Sequence, residues 1–332
     1  MDPTPLSLLP TAIDDAARVE ACLLDQVAIA DDPYLSEIAS HLIRAGGKRQ
    51  RPLFTMAAAA TGTADGIPVD DDVVRGGVAV ELVQVGSLYH DDVMDEAQLR
   101  RQVVSVNARW GNLRAILAGD YLLAKASEIA ASLGVEVAGL LARTIGDLCQ
   151  GQVAELQTLY DVTRTEEQYV PSIAGKTASL FASATRIGGI VSRREPAVID
   201  QLTEFGRWYG MAFQVIDDIL DVVASDQQLG KPAGKDMIEG VYSLPVIYAL
   251  QSANGPKLAA LLGDHGLQET DRGAAIELVR ESPGIDRALD VASGFVDQAR
   301  TVILDVSTNR AAHALADTAQ HLLDQVAATE AA

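Results

Sequence analysis

The stretch Leu88-Tyr89-His90-Asp91-Asp92-Val93-Met94-Asp95-Glu96 places three aspartates at i, i+1 and i+4, after an almost wholly apolar run from Val78 to Tyr89. No proline or turn cluster interrupts that run, so it predicts a buried helix that ends in acid. On such a helix Asp91 and Asp95 project from one face a turn apart, with Asp92 beside them. Carboxylates so placed repel, and a cation between them relieves the repulsion. Hard oxygen donors select magnesium rather than zinc. Taken alone, the stretch is equally well explained as a solvated helix end. Phe213-Gln214-Val215-Ile216-Asp217-Asp218-Ile219-Leu220-Asp221 changes that balance, because it repeats the spacing at the end of a second apolar helical run. Two such helices would form facing carboxylate banks around shared divalent ions. Ions held by few carboxylates complete their shells with water and substrate phosphate, so a diphosphate substrate follows.

Length and composition bound the rest. The 332 residues suffice for a substantial core, Ala, Leu and Val are abundant, and strand-like alternation is nowhere sustained, which predicts an all-α fold. A formal charge of −20 argues against nucleic acid and against charge-driven binding to anionic lipid. An anionic ligand must therefore meet locally clustered Lys, Arg and metal. Cys22 and Cys149 are far apart and lack metal-ligand spacing, so both read as ordinary thiols. The first thirty residues carry Asp14, Asp15, Glu20 and Asp25 without the basic start of a signal peptide, and no apolar span is long enough to cross a bilayer. The expectation is a soluble, cytoplasmic protein.

Along the chain, an amphipathic helix is expected over Thr11 to Ala30, a break at Asp31-Asp32-Pro33, and a helix from Tyr34 to Arg44. Gly46-Gly47-Lys48-Arg49-Gln50-Arg51-Pro52 puts three cations after a glycine pair, which suggests an anion site in so acidic a chain; a solvated basic turn is the plainer alternative. Pro52 opens a helix to Ala60, and Thr61 to Asp72 reads as a surface loop. Arg100 and Arg101 follow the first acidic bank and suit the diphosphate oxygens that metals leave free. Long helices are expected over Trp110 to Leu133 and Val135 to Tyr160, and Thr165-Glu166-Glu167-Gln168 has the capping-box pattern of a helix start. Pro171 should either begin that helix or kink it. Gly230-Lys231-Pro232-Ala233-Gly234-Lys235-Asp236 reads as a flexible loop, and residues 243–332 as supporting helices without chemistry.

Taken together, Gly46 to Pro52, Glu81-Leu82-Val83-Gln84, His90 to Asp95 with Arg100-Arg101, Gly175-Lys176-Thr177, Phe213 to Asp221 and Gly230-Lys231 resemble the trans-isoprenyl diphosphate synthases, or polyprenyl synthetases, in the order that family shows. The resemblance spans roughly residues 40–250. It implies one domain over 1–332, an isoprenoid synthase fold of about a dozen helices around a deep central cavity, and a homodimer. It also implies head-to-tail condensation of isopentenyl diphosphate onto an allylic diphosphate (geranyl, farnesyl or geranylgeranyl). Carried onto this chain, Asp91 and Asp95 would share two magnesium ions with the allylic diphosphate and Asp217 would hold a third, with Asp92, Asp218 and Asp221 acting through water or behind the ligands. The same resemblance assigns Arg100, Lys176 and Lys231 to the allylic diphosphate and Lys48, Arg51, Gln84 and Arg101 to isopentenyl diphosphate. Thr177 and Gln214 would line the reacting centre.

Two departures stand out: Gln102 where the family usually has Gly, and Pro171 in a helix that the family continues. They leave open a non-catalytic subunit of a heteromeric synthase. A class I terpene cyclase would share the first acidic motif but normally lacks the second and any isopentenyl diphosphate site, and a helical scaffold or ion buffer has no use for cations beside each bank. Product length is addressed by Gly86 and Ser87, five and four residues before Asp91. In the resembling short-chain enzymes bulky aromatics there form a floor, whereas no aromatic occurs here from Val73 to Leu88. The expectation is a long-chain all-trans polyprenyl diphosphate, with geranylgeranyl diphosphate as the alternative.

Overall fold

The computed structural model describes residues 4–65, 67–225, 228, 232–263 and 266–330. Helix α1 (Ala12–Gln26) ends short of the expected Ala30 because Val27 is buried and its carbonyl is taken by Ser36 Oγ at 3.0 Å. Asp32 then caps α2 (Pro33–Arg44) by accepting from the Leu35 N–H at 2.9 Å, with Pro33 in the first turn, where its missing N–H is not needed. Helices α3 (Gln50–Ala60) and α4 (Asp71–Met94) follow. In α4, Val78, Val80, Leu82, Val83 and Val85 are all fully buried, so the helix is apolar on every side and is enclosed by α1, α3 and α6 (Asn112–Leu133). Each such side chain contributes about 1.5–3 kcal/mol through burial.

Between α4 and α6 lies the only strand pairing among the described residues, an antiparallel hairpin pairing Leu99–Arg100 with Val103–Val104. Its turn residues Arg101 and Gln102 have φ of 52° and 64°. Two positive φ values in a two-residue turn match the twist of the flanking strands, and they explain why glycine suits position 102. The helix expected over Trp110 to Leu133 is α6, which starts at Asn112; a short helix α5 (Val106–Trp110) precedes it, the two parted at Gly111 with φ 86° and ψ 155°.

Helix α7 (Val135–Leu156) stops before the expected Tyr160, whose backbone is left-handed and donates to the Gly240 carbonyl at 2.9 Å. The predicted capping box forms at Thr165 and Gln168, starting α8 (Glu166–Ile173). Pro171 sits inside α8 rather than opening it, and one wide π turn (Ala174–Ala178) separates α8 from α9 (Ser179–Val191). Helix α10 (Pro196–Val223) carries the second acidic stretch. Beyond it come α11 (Lys235–Ile238), α12 (Leu244–Leu250), α13 (Gly255–Leu262), α14 (Arg272–Arg280), α15 (Gly284–Val306) and α16 (Arg310–Glu330). No helix of the described residues is long and apolar enough to cross a membrane.

By its internal contacts the chain divides into two compact units. The first comprises Met1–Ile145, Leu180–Thr203 and Val306–Leu315, with α4 as its buried centre. The second comprises Gly146–Ser179, Glu204–Asp305 and Ala316–Ala332. Its buried residues include Phe205, Tyr209, Val215 and Ile219 of α10 and Ala292, Val296, Ala299 and Ile303 on one face of α15, and the Trp208 ring stacks on Phe295 at 5.7 Å.

Candidate active site

In the first unit, α4 formally ends at Met94, yet Asp95 keeps helical backbone angles and its N–H donates to the Asp91 carbonyl at 2.8 Å. The one-turn spacing of Asp91 and Asp95 is therefore intact. Asp91 is half-buried and Asp95 exposed, whereas Asp92 is fully buried and accepts from Arg100 Nε at 2.6 Å. A buried carboxylate needs such a partner, and here the hairpin supplies it. His90 lies within 3.3 Å of both Asp120 Oδ1 and the Ile116 carbonyl on α6.

The expected isopentenyl diphosphate cations surround the start of α3. Lys48 is exposed, and the Arg51 guanidinium lies over the Phe181 ring at 4.4 Å. Arg101 donates to the Leu42 carbonyl at 2.9 Å and to the Gly46 carbonyl at 2.5 Å, so the hairpin turn is tied to the glycine pair directly before Lys48. Burial holds the Arg101 guanidinium below its ordinary pKa, Glu81 opposes that shift, and neighbouring Arg49 and Arg100 add to it. Gln84 is half-buried on α4, and its carbonyl accepts from Ser87 Oγ at 2.9 Å. Gly86 does not open onto space: a methyl group there would lie 3.1 Å from the Gly119 carbonyl oxygen and 3.3 Å from Leu123 Cδ2 of α6. Of the two expected chain-length positions, Ser87 is the more accessible.

In the second unit a chain of hydrogen bonds links three of the predicted residues. Thr177 Oγ1 donates to Gln214 Oε1 at 2.7 Å, Gln214 Nε2 donates to Asp218 Oδ1 at 2.8 Å, and Tyr169 Oη donates to Asp218 Oδ2 at 2.5 Å. Burial pushes the Asp218 carboxyl up to about 7, against the stabilising pull of the two donors. Burial and the facing carboxylate likewise raise the Tyr169 hydroxyl well above its ordinary value. Asp217, one residue earlier, is exposed. Asp221 is buried and holds the segment after the second acidic stretch, accepting from the Gly234 N–H through its carbonyl at 2.7 Å and from the Asp236 N–H through its side chain at 3.4 Å. Lys231 lies outside the described residues.

Lys176 and Thr177 occupy the π turn, which presses against α7. A methyl group at Gly151 would come within 2.3 Å of the Lys176 nitrogen and 2.7 Å of the Ser172 carbonyl oxygen, so only glycine permits this approach. Lys176 Nζ forms an ion pair with Glu155 Oε1 at 2.5 Å. Glu155 and Tyr169 were not singled out from the sequence. Tyr169 sits a turn into the capping-box helix, but its partner is 49 residues away, and Glu155 is 21 residues from Lys176, so no local pattern announces either.

Both acidic stretches offer oxygen donors of the kind magnesium takes. Asp91, Asp95 and Asp217 are the more exposed donors of the two stretches, a set that fits magnesium sharing few carboxylates with substrate phosphates.

The family model described as polyprenyl synthetase matches residues 32–279. The chain is 41% identical to a nonaprenyl diphosphate synthase of Mycobacterium tuberculosis over 307 residues, which cover 91% of this chain and 90% of that protein. Among solved structures, a decaprenyl diphosphate synthase from Rhodobacter capsulatus superposes with a TM-score of 0.87 at 30% identity, covering 97% of this chain and 98% of that one. A polyprenyl synthase from Caulobacter crescentus, solved with calcium and isoprenyl diphosphate, gives a TM-score of 0.87 at 33% identity over 96% of each chain. The fold is the all-α isoprenoid synthase fold, and with two acidic motifs, their flanking cations and these relatives in agreement, the chain belongs to the polyprenyl synthetase family of prenyltransferases.

Proposed function

We propose that this protein condenses isopentenyl diphosphate head to tail with an allylic diphosphate and releases a long-chain all-trans polyprenyl diphosphate. One observation carries the site reading. In both acidic stretches the second aspartate is buried and bonded within the protein, Asp92 to Arg100 and Asp218 to Tyr169 and Gln214, while Asp91, Asp95 and Asp217 are more exposed. Asp91 and Asp95 would hold two magnesium ions and Asp217 a third, each completed by the allylic diphosphate. Magnesium bound there supplies positive charge to the departing diphosphate.

The chain's own residues supply the rest. Lys176, Lys231 and Arg100 would bind the allylic diphosphate and take up its charge as its C–O bond breaks. Lys48, Arg51, Gln84 and Arg101 hold isopentenyl diphosphate so that its alkene reaches the allylic carbon, a step that needs positioning more than activation. The new C–C bond forms, and the proton lost beside it goes to the released diphosphate. Thr177 and Gln214, fixed through Asp218, border the reacting carbons. A second copy of the chain is expected at α6, where Leu113, Ile116 and Leu117 lie on one face and are 72%, 40% and 56% exposed.

The experiment is incubation with labelled isopentenyl diphosphate, farnesyl diphosphate and magnesium, followed by chromatography of the products. The proposal expects label in prenyl chains longer than geranylgeranyl. Label confined to a geranylgeranyl product would refute the long-chain assignment, and no incorporation would refute the synthase.

A further inference from the structure

We propose that Glu20, on the N-terminal helix α1, is a positioning residue for the isopentenyl diphosphate site and acts through Arg49; this rests on the placement of that substrate beside Lys48, Arg51 and Arg101. Arg49 stands between Lys48 and Arg51 in the chain but is itself only 5% exposed, so it is in no position to bind substrate. Each of its five N–H groups faces an acceptor. Nε donates to Glu20 Oε1 at 2.5 Å and Nη2 to Glu20 Oε2 at 3.2 Å, the two-pronged geometry that arginine and a carboxylate share. Nη2 also reaches the Ile43 carbonyl at 2.7 Å, and Nη1 reaches Glu81 Oε1 at 3.1 Å and the Gly46 carbonyl at 3.5 Å.

This guanidinium fixes the backbone that presents the neighbouring cations. Arg49 caps α3 with φ 45° and ψ 37°, a left-handed conformation that a non-glycine residue keeps only where its surroundings hold it. A methyl group on Gly47 would lie 3.0 Å from both Arg101 Cζ and Arg49 Nη1, so the two guanidinium groups bracket the glycine just before Lys48. A buried and a half-buried cation that close need two anions. Glu81, 3% exposed, is 3.1 Å from Arg49 and 3.9 Å from Arg101, and Glu20 supplies the second negative charge. Without it, Arg49 and Arg101 compete for Glu81 alone. Arg101 is then drawn off the Gly46 carbonyl, and the turn carrying Lys48 shifts. A carboxylate on α1 thereby tunes the diphosphate site through a guanidinium that is itself buried.

Steady-state kinetics of the full-length protein test this. Glu20→Gln is expected to raise KM for isopentenyl diphosphate about tenfold while kcat and KM for farnesyl diphosphate stay within about twofold. Glu20→Asp, which keeps the charge, falls between it and wild type. Arg18→Ala is the control for a loosened helix: it cuts the pair that ties α1 to Asp71 of α4 at 2.7 Å, together with the i, i+3 pair to Asp15 within α1 at 3.0 Å, without touching Arg49, and should lower the thermal midpoint slightly but not move KM. Arg51→Ala reports on the site itself. If Arg51→Ala raises KM for isopentenyl diphosphate and neither Glu20 variant does, the role of Glu20 is overturned and the site stands. Equal KM changes in Arg18→Ala and Glu20→Gln would also overturn it, since α1 would then act only by its attachment. An Arg51→Ala enzyme with unchanged KM removes the site assignment and the proposal with it.

Discussion

Replacing Asp91 and Asp92 separately by Ala should produce opposite defects, although the two residues are neighbours in one motif. Asp92 has no exposed surface and accepts from Arg100 at 2.6 Å, so its removal leaves the guanidinium without its carboxylate. Breaking a fully buried pair costs about 3–5 kcal/mol, but Arg100 is 30% exposed and regains water, which reduces the expected loss to about 2 kcal/mol. At this chain length that is a drop of a few degrees in the thermal midpoint, on the order of 2–4 °C per kcal/mol. Asp91→Ala removes a half-buried carboxylate that repels Asp95 at i, i+4, and should lower the midpoint of the magnesium-free protein less than Asp92→Ala does. Its turnover should fall by several orders of magnitude, each factor of ten being about 1.4 kcal/mol of lost transition-state stabilisation. Asp92→Ala should retain measurably more turnover than Asp91→Ala. Scanning fluorimetry without metal and incorporation of labelled isopentenyl diphosphate read the two axes. Equal midpoints for both variants, or a more active Asp91→Ala, would refute the division of roles within the motif.

Three further outcomes follow from the packing. Gly151→Ala places a methyl group against backbone atoms of Ser172, Gly175 and Lys176, which cannot move aside as a flexible side chain can, so a loss of more than about 2 kcal/mol is expected in denaturant unfolding; wild-type stability would show the π turn is not held as described. Gln102→Gly relieves a left-handed residue in the hairpin turn and should stabilise by about 0.5–1 kcal/mol after the added entropy of the unfolded chain, with an unchanged or lower midpoint as the contrary result. Ser87→Phe should shorten the product while preserving turnover, whereas Gly86→Phe should mainly disrupt the α4–α6 contact and lower the thermal midpoint, because position 86 faces Gly119 and Leu123; chromatography showing wild-type products from Ser87→Phe would mean that this wall does not measure the chain.

Much of this architecture is written in local patterns. The apolar run into Asp91, the Asp32-Pro33 start and the Thr165–Gln168 box each depend on residues within a turn or two of one another, and the corresponding helices form where those signals lie. Helix ends set by distant partners were not legible: α1 stops where Ser36 takes the Val27 carbonyl, and α7 stops where Tyr160 turns to meet Gly240. The hairpin at Leu99–Val104 is too short to show strand alternation, and Arg101-Gln102 lacks the Asn-Gly type of turn signal. Within the site, residue types were readable but their partners were not. Nothing local distinguishes Asp92 from Asp91; burial does, and it depends on an arginine eight residues on and on the packing of the whole helix. Pro171 looked like a helix start or a kink, and the π turn after it accommodates the chain because Gly151 and Gly175 allow two backbones to touch.

The most direct test of the division between exposed and buried aspartates is the count of Mn2+ ions bound per chain, read by electron paramagnetic resonance in the presence of a non-reacting thio analogue of farnesyl diphosphate. Three ions are expected for the wild type. Asp217→Asn should lose one, Asp91→Asn at least one, and Asp92→Asn none. An unchanged count in Asp91→Asn and Asp217→Asn, or a loss in Asp92→Asn equal to that in Asp91→Asn, would contradict the account.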